Sequence, residues 1–222
     1  MNRLSDLNIS NQNLVIRVDM NVPIEDGVVT DNTRILACMP TIKFAQKSNA
    51  KILLVTHLGR PKEGTFDKKF SLKPVATEVS KILDYEVDFI DDLDSTKIFN
   101  GSSDIQILEN IRFFEGEKSN CNKLGKSLSS LGDIYVFDAF GTSHREQSST
   151  HSAIVNSNLS CAGLLLEKEI DSLTKVLNES QNPYTAIIGG AKVSTKLELI
   201  KNINSKADHI IVGGGIANTF LK

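Results

Sequence analysis

Charge of one sign is missing from this chain. Its 25 basic residues stand against 27 acidic ones, a formal net charge of -2 at pH 7, so a chain-wide field for nucleic acid or anionic lipid is excluded. Long apolar runs are missing too. None approaches the roughly 18 residues that a membrane helix needs, and the 40% hydrophobic content is that of an ordinary soluble globular protein. Cysteine is scarce. Cys38, Cys121 and Cys161 are odd in number, widely spaced and in no C-x-x-C arrangement, which argues against a disulfide framework and a zinc site and leaves buried reduced thiols. The start, Met1-Asn2-Arg3-Leu4-Ser5-Asp6-Leu7, carries an acidic residue and no apolar core, so it reads as no secretory signal and a cytoplasmic location is expected. Neither a G-x-S-x-G elbow nor a His-Glu-x-x-His cluster occurs.

What the chain does have is four apolar runs that each end in a polar, mostly basic cluster. Leu14-Val15-Ile16 leads into Arg17-Val18-Asp19-Met20-Asn21, and Ile52-Leu53-Leu54-Val55 into Thr56-His57-Leu58-Gly59-Arg60. Ile105-Gln106-Ile107-Leu108 leads into Glu109-Asn110-Ile111-Arg112, and Ile134-Tyr135-Val136-Phe137 into Asp138-Ala139-Phe140-Gly141-Thr142-Ser143-His144-Arg145. Short β-branched runs separated by helical segments read as parallel strands, whose ligands bind outside the carboxyl ends. One such arginine alone reads equally as a solvated charge. Four in register point to a small polyanion, because guanidinium groups match phosphate and carboxylate oxygens. His57 and His144 are the histidines at strand tips, and each also reads as a hydrogen-bonded loop residue; His151 and His209 read as structural. Asp19 and Asn21 alternate at a strand end and face one way, toward substrate hydroxyls or toward the arginines. Asp138 and Glu109 are expected to brace the basic residues.

The spacing predicts a doubly wound, Rossmann-like α/β fold of three αβα layers, with the beginning of a second, similar domain. Glu25-Asp26-Gly27 is a turn, Asp31-Asn32-Thr33 offers caps for a helix over 34–46, and Pro40 should kink that helix or sit near its first turn. Further helices are predicted after Ser71-Leu72-Lys73-Pro74 and over 121–131, with a short strand at 87–90. Leu164, Leu165, Leu166, Ile170, Leu173, Val176 and Leu177 recur at helical spacing until Asn182-Pro183, as a plain core helix or a helix joining two lobes. Residues 1–162 are read as the first domain, 163–183 as helix and linker, and 184–222 as an incomplete second domain, since two strands and one helix bury too little to stand alone.

Both strands of that incomplete domain end in glycine. Ala186-Ile187-Ile188 runs into Gly189-Gly190-Ala191-Lys192-Val193-Ser194-Thr195-Lys196, and Ile210-Ile211-Val212 into Gly213-Gly214-Gly215. Glycines before a helix let backbone approach a phosphate, though such pairs also serve tight packing. No register of Gly189 to Lys196 gives a Walker A loop, and Asn218 stands where a dinucleotide fingerprint needs its last glycine. Lys192 and Lys196 share a helix face and suggest polyphosphate.

Seven segments in order resemble the phosphoglycerate kinase family: Arg17-Val18-Asp19-Met20-Asn21-Val22-Pro23, Asp31-Asn32-Thr33-Arg34-Ile35, Thr56-His57-Leu58-Gly59-Arg60-Pro61, Leu108-Glu109-Asn110-Ile111-Arg112-Phe113, the stretch from Asp138 to Arg145, the stretch from Gly189 to Lys196, and Gly213-Gly214-Gly215-Ile216-Ala217-Asn218-Thr219-Phe220. The resemblance implies reversible phosphoryl transfer between 1,3-bisphosphoglycerate and ADP, giving 3-phosphoglycerate and ATP, in a cytoplasmic, hinge-bending monomer. It implies that Asp19, Asn21, Arg34, His57, Leu58, Gly59, Arg60, Arg112, His144 and Arg145 bind phosphoglycerate. It assigns Gly190, Ala191, Lys192, Lys196, Gly213, Gly214 and Gly215 to the nucleotide, with Arg34 and Lys192 catalytic. Mg²⁺ would arrive with ADP or ATP, without a protein ligand in these residues, and neither nucleic acid nor membrane is an expected partner. Arg17 is expected to be a structural ion-pair residue. Family members are nearly twice this length, so the stretch is expected to bind phosphoglycerate without turnover. The alternatives are a phosphometabolite-binding module and a nicotinamide-dependent oxidoreductase. Ser143 and Glu146 depart from the family's usual alanines, and Glu146 is expected to point away from Arg145.

Overall fold

The computed structural model describes residues 1–222 apart from 94–95, 179–181, 191–196 and 221–222. It divides into two compact units, Met1–Glu169 and Ile170–Lys222. The first unit holds β1 (Asn13–Val18), β2 (Ile24–Glu25), β3 (Val28–Val29), α1 (Thr33–Lys47), β4 (Lys51–Val55), α2 (Lys73–Leu83), β5 (Asp88–Ile90), β6 (Ile105–Leu108), α3 (Asn122–Ser129), β7 (Ile134–Asp138), α4 (Ala153–Asn156) and β8 (Ser160–Ala162). Helix α5 (Leu164–Asn178) starts in this unit; β9 (Thr185–Ile188), α6 (Leu197–Asn204), β10 (His209–Val212) and α7 (Ala217–Phe220) belong to the second.

Six strands of the first unit form one parallel sheet in the order β5-β6-β4-β1-β7-β8. The four basic-tipped strands are therefore neighbours, β6, β4, β1 and β7, and their carboxyl ends open on the same edge. The chain leaves β1 toward β4 on one side and later places β7 on the other, so β1 and β7 flank a topological switch point, where such sheets leave a crevice.

Alternation within the strands builds two cores. Leu14, Ile16, Val18, Ile52, Leu54, Ile105, Ile107, Ile134 and Val136 pack with Ile35, Cys38, Met39 and Ile42 of α1 and Val75, Ala76 and Val79 of α2. Val15, Leu53, Val55, Leu108 and Tyr135 face the other way, onto Leu124 and Leu128 of α3 and Ala153 of α4. Helices thus cover both faces, the doubly wound three-layer arrangement that the near-continuous apolar runs predict. Two charged side chains break the pattern, Asp138 at the end of β7 and Arg17. Arg17, level with Val55 and Phe137 on the adjacent strands, is only 1% exposed.

Local details follow the sequence with some differences. Asp26 and Gly27 both take positive φ, 49° and 77°, and close the β2–β3 hairpin, the conformation a two-residue primed turn requires. Asp31 Oδ1 accepts from Thr33 N at 2.8 Å at the start of α1. Pro40 lies in the middle of α1, exposed, and not in its first turn. Cys38 and Cys161 are buried and their thiols are pushed up to about 12, chiefly by desolvation. Cys121, expected to be buried, is only partly so.

In the second unit β9 and β10 pair in parallel, Thr185 with His209 through Ile188 with Val212. Ile187 is 77% exposed on this two-stranded sheet, and Ile211, Leu197 and Leu199 are exposed as well. Among the described residues no helix is long and apolar enough to cross a membrane.

Gly125, inside α3, gives a test of the packing. A Cβ there would stand 2.4 Å from Ser152 Cβ and 2.8 Å from its backbone carbon. Gly→Ala in an open helix gains about 1 kcal/mol, but overpacking costs about 1–3 kcal/mol, and backbone cannot swing aside. Gly125→Ala is expected to lower stability by about 1–2 kcal/mol in urea unfolding; a gain would show that the α3 contact is loose.

Candidate functional site

Each basic-tipped strand delivers its charge through a short loop. After β1, Asp19 Oδ2 accepts from Arg34 Nη1 at 2.7 Å, so the carboxylate orients the arginine at the start of α1. The other oxygen of Asp19 takes the Asn21 backbone N–H at 3.3 Å. Asn21 Oδ1 accepts from Gly59 N at 2.9 Å, leaving Asn21 its amide donors to present. After β4, Thr56 accepts the Met20 N–H at 2.9 Å and ties the two loops together. Gly59 has φ 58° and lies against Phe70, whose ring a Cβ would meet at 2.4 Å; only glycine fits. Leu58 is buried and Arg60 is exposed.

Asn110, after β6, stitches this region. Its Oδ1 accepts from Leu58 N at 3.2 Å and Arg112 N at 3.1 Å, and its Nδ2 donates to Leu58 O at 2.8 Å and Phe70 O at 2.9 Å. Arg112 is 6% exposed and donates through Nη1 to Gly59 O. Among the described residues, its Nε is the buried side-chain polar atom left without a hydrogen-bond partner. Arg145, after β7, is half-buried, while the preceding His144 is exposed. Burial lowers the pKa of Arg112, and the positive charges of Arg145, Arg17 and Arg60 lower it further, against the opposing pull of Glu117.

The buried His57 ring sits inside this positive field. Desolvation, then Arg17, Arg112, Arg145 and Arg34, push its pKa down to about 2. Arg17 Nη2 lies 3.3 Å from His57 Nδ1, its Nε donates to Ser149 Oγ at 2.9 Å, and Nη1 donates to Val18 O. Arg17 therefore joins the site from below and is no separate structural ion pair; it reaches the fully buried Glu117 through the Ser149 hydroxyl, which donates to Glu117 Oε1 at 2.6 Å.

Two carboxylates do not brace arginines. Glu109 accepts from Ser71 Oγ at 2.7 Å, Leu72 N at 2.8 Å and Asn110 N at 2.8 Å, holding the start of α2. Asp138 accepts from Thr41 Oγ1 at 2.6 Å and Leu166 N at 2.9 Å, holding the start of α5. The acid whose charge faces the buried Arg17 and Arg112 is Glu117, while Asp19 serves Arg34. Glu146 points to Asn120, whose Nδ2 donates to it at 3.3 Å, and not to Arg145.

The glycine turns of the second unit lie side by side. Ile216 N donates to Gly190 O at 3.0 Å, Gly213 N to Ile188 O at 2.9 Å, and a Cβ on Gly214 would meet Gly190 O at 3.1 Å. Gly215 is exposed. Ala191, Lys192 and Lys196 lie outside the described residues. Among the described residues no group of three or more His, Cys, Asp or Glu side chains could hold a metal ion.

A parallel doubly wound sheet whose carboxyl edge gathers arginines around a neutral histidine defines an α/β protein with a preformed cationic site. The profile of the family described as phosphoglycerate kinase matches residues 4–222, and the chain belongs to that family. A phosphoglycerate kinase of Desulfovibrio desulfuricans is 46% identical over 219 residues, 99% of this chain and 56% of the relative. One of Legionella pneumophila is 46% identical over 220 residues, 99% of this chain and 55% of the relative. Among solved structures, phosphoglycerate kinase from Coxiella burnetii superposes with a TM-score of 0.89 at 44% identity, covering 99% of this chain and 56% of that one. The Pyrococcus horikoshii enzyme gives 0.84 at 33%, covering 99% and 57%. The chain spans about half the length of the relatives it matches.

The buried neutral histidine sets a pH dependence. Its folded pKa lies below the ordinary 6.5, so the stability it contributes is complete above about pH 6.5 and is lost as pH falls, because the unfolded chain takes up the proton first. Between about pH 6.5 and 5.5 this group alone should remove about 1 kcal/mol. Glu117 and Asp138, raised by burial, act in the opposite sense at the acid end. Urea unfolding at both pH values should show a smaller loss in His57→Gln than in the parent; parallel losses would remove His57 as the responsible group.

Proposed function

We propose that this chain carries the phosphoglycerate-binding region of a phosphoglycerate kinase, which transfers a phosphoryl group reversibly between 1,3-bisphosphoglycerate and ADP to give 3-phosphoglycerate and ATP. Membership of the family supports the reaction. The observation that carries the substrate is Arg112, a buried guanidinium with an unpartnered Nε among like charges. An unmet charged donor in such a field is satisfied by an anionic oxygen.

In this reading Asn21, His57, Leu58, Gly59, Arg60, Arg112, His144 and Arg145 hold the phosphoglycerate, with Asp19 steering Arg34 toward the group in transfer. Lys192 stabilises that group from the other side, and Lys196 with Gly190, Ala191, Gly213, Gly214 and Gly215 holds the nucleotide, which brings its own Mg²⁺. Residues 1–162 serve one substrate and 184–222 begin the region that serves the other. Closure about the 163–183 segment brings the substrates together and expels water. In the direction of ATP use the nucleophile is a carboxylate, ionised at neutral pH, so the site needs no general base, only positioning and positive charge. The enzyme is proposed to work as a cytoplasmic monomer.

Titration calorimetry with 3-phosphoglycerate tests the site. Arg112→Ala and Arg60→Ala should each weaken binding about 10- to 100-fold, the loss of hydrogen bonds to a charged group, while Lys47→Ala in the last turn of α1 should leave it unchanged. Equal affinity in all three would sink the assignment. The 222-residue chain is expected to bind without turnover in a coupled ATP assay, beside a version extended to the length of its relatives that turns over; activity in the shorter chain would overturn this.

A further inference from the structure

Beneath the anion site runs a buried chain of hydrogen bonds whose direction is fixed at nearly every step by what each group can donate. Glu117 is fully buried, and both its oxygens are engaged by Ser149: Oε2 by the backbone N–H at 2.9 Å and Oε1 by the hydroxyl at 2.6 Å. A carboxylate only accepts, so the single Ser149 hydroxyl proton goes to Glu117. Ser149 Oγ must then accept from Arg17 Nε, at 2.9 Å. Tyr135 Oη, donating to Ser149 O at 2.6 Å, and the π-helical turn Ser148–Ser152 fix Ser149 in place. A guanidinium has no acceptor, so Arg17 Nη2, 3.3 Å from His57 Nδ1, can only donate there. A proton on Nδ1 would set two donors against each other. Asp19 Oδ1, at 3.9 Å from Nδ1, is too far to hold such a proton by a hydrogen bond. The last step does not depend on the ionisation of Glu117, because Arg17 donates in either case.

We infer that Glu117, Ser149 and Arg17 are positioning residues that lock His57 as a neutral imidazole with its proton on Nε2, so that this histidine meets a bound carboxylate or phosphate as a hydrogen-bond donor and not as a cation. The role of His57 toward substrate rests on the phosphoglycerate reading; its tautomer does not. The charged groups that face the ring are Arg17 from β1, Asp19 and Arg34 from the β1 end and α1, Arg112 from beyond β6 and Arg145 from beyond β7. The field of the four arginines acts in the same sense as the hydrogen bond from Arg17, against a second ring proton.

The test reads the ring directly. Protein carrying ¹⁵N in its histidine rings is followed by long-range proton–nitrogen NMR, His57 being assigned as the ring lost in His57→Gln. From about pH 5 to about pH 8, the range in which an ordinary histidine titrates, His57 should show a bare Nδ1 and a protonated Nε2. Added 3-phosphoglycerate should move the Nε2 proton downfield without changing the tautomer. A proton on Nδ1, or a doubly protonated ring in that range, overturns the inference. Arg17→Met, checked for folding by its amide spectrum, should mix the two tautomers and bring titration of the ring into the window. Ser149→Ala keeps the arginine and cuts only its hydroxyl partner; unchanged ring shifts there would remove Ser149 and Glu117 from the positioning role. A protein with the Nε2 tautomer that fails to bind 3-phosphoglycerate would refute the substrate reading and leave the wiring intact, and the reverse result would do the opposite.

Discussion

Arg17, Arg34, Arg112 and Arg145 repel one another, and His57 stands in the field of all four. Taking a guanidinium out of water costs several kcal/mol unless its donors are met, so this crowding exists only because the surroundings answer it group by group. Arg17 meets the cost with Ser149, Val18 O and His57. Arg34 stays largely in solvent and leans on Asp19. Arg112 is answered at Nη1 by Gly59 O and left open at Nε. In the proposed function, a phosphoglycerate bound among these arginines would turn their mutual repulsion into attraction.

The parallel sheet makes this crowding possible. Because β6, β4, β1 and β7 are parallel neighbours, crossover connections return the chain between them and residues far apart in sequence end on one edge. The loops that carry them are held by buried side chains such as Met20, Leu58 and Ile111 and by polar stitches: Asn110 bonds to two neighbouring loops at once, and Thr56 and Asn21 join the ends of β1 and β4. The residues proposed to bind substrate sit on loops, and rigidity comes from the strands beneath them.

Much of this was legible in the residue order. The four β-branched runs, the helical spacing of Val75, Val79 and Ile82, and Asp26-Gly27 each encode local geometry, and local geometry is what a linear pattern records. What failed to show was long-range partnership. Glu117 looked like one acid among many, since its bond to Ser149 spans 32 residues and that of Arg17 to Ser149 spans 132. Glu109 and Asp138 stand beside basic clusters in sequence, yet a strand-end carboxylate also finds helix amides nearby, and those won. The three-residue β8 carries too little pattern to be seen. Five of the seven family segments named the cationic edge, but they gave no hint of the Glu117–Ser149–Arg17 chain beneath it.

The two-core alternation in the sheet has a consequence for how such a chain can change over generations. Arg17 and Val15 face one layer and Ile16 and Val18 the other, so inserting or deleting a single residue within β1 would carry the guanidinium to the opposite face, into the packing of α1 and α2. Substitutions can drift through these strands one side chain at a time, whereas changes of length are confined to the connections between them.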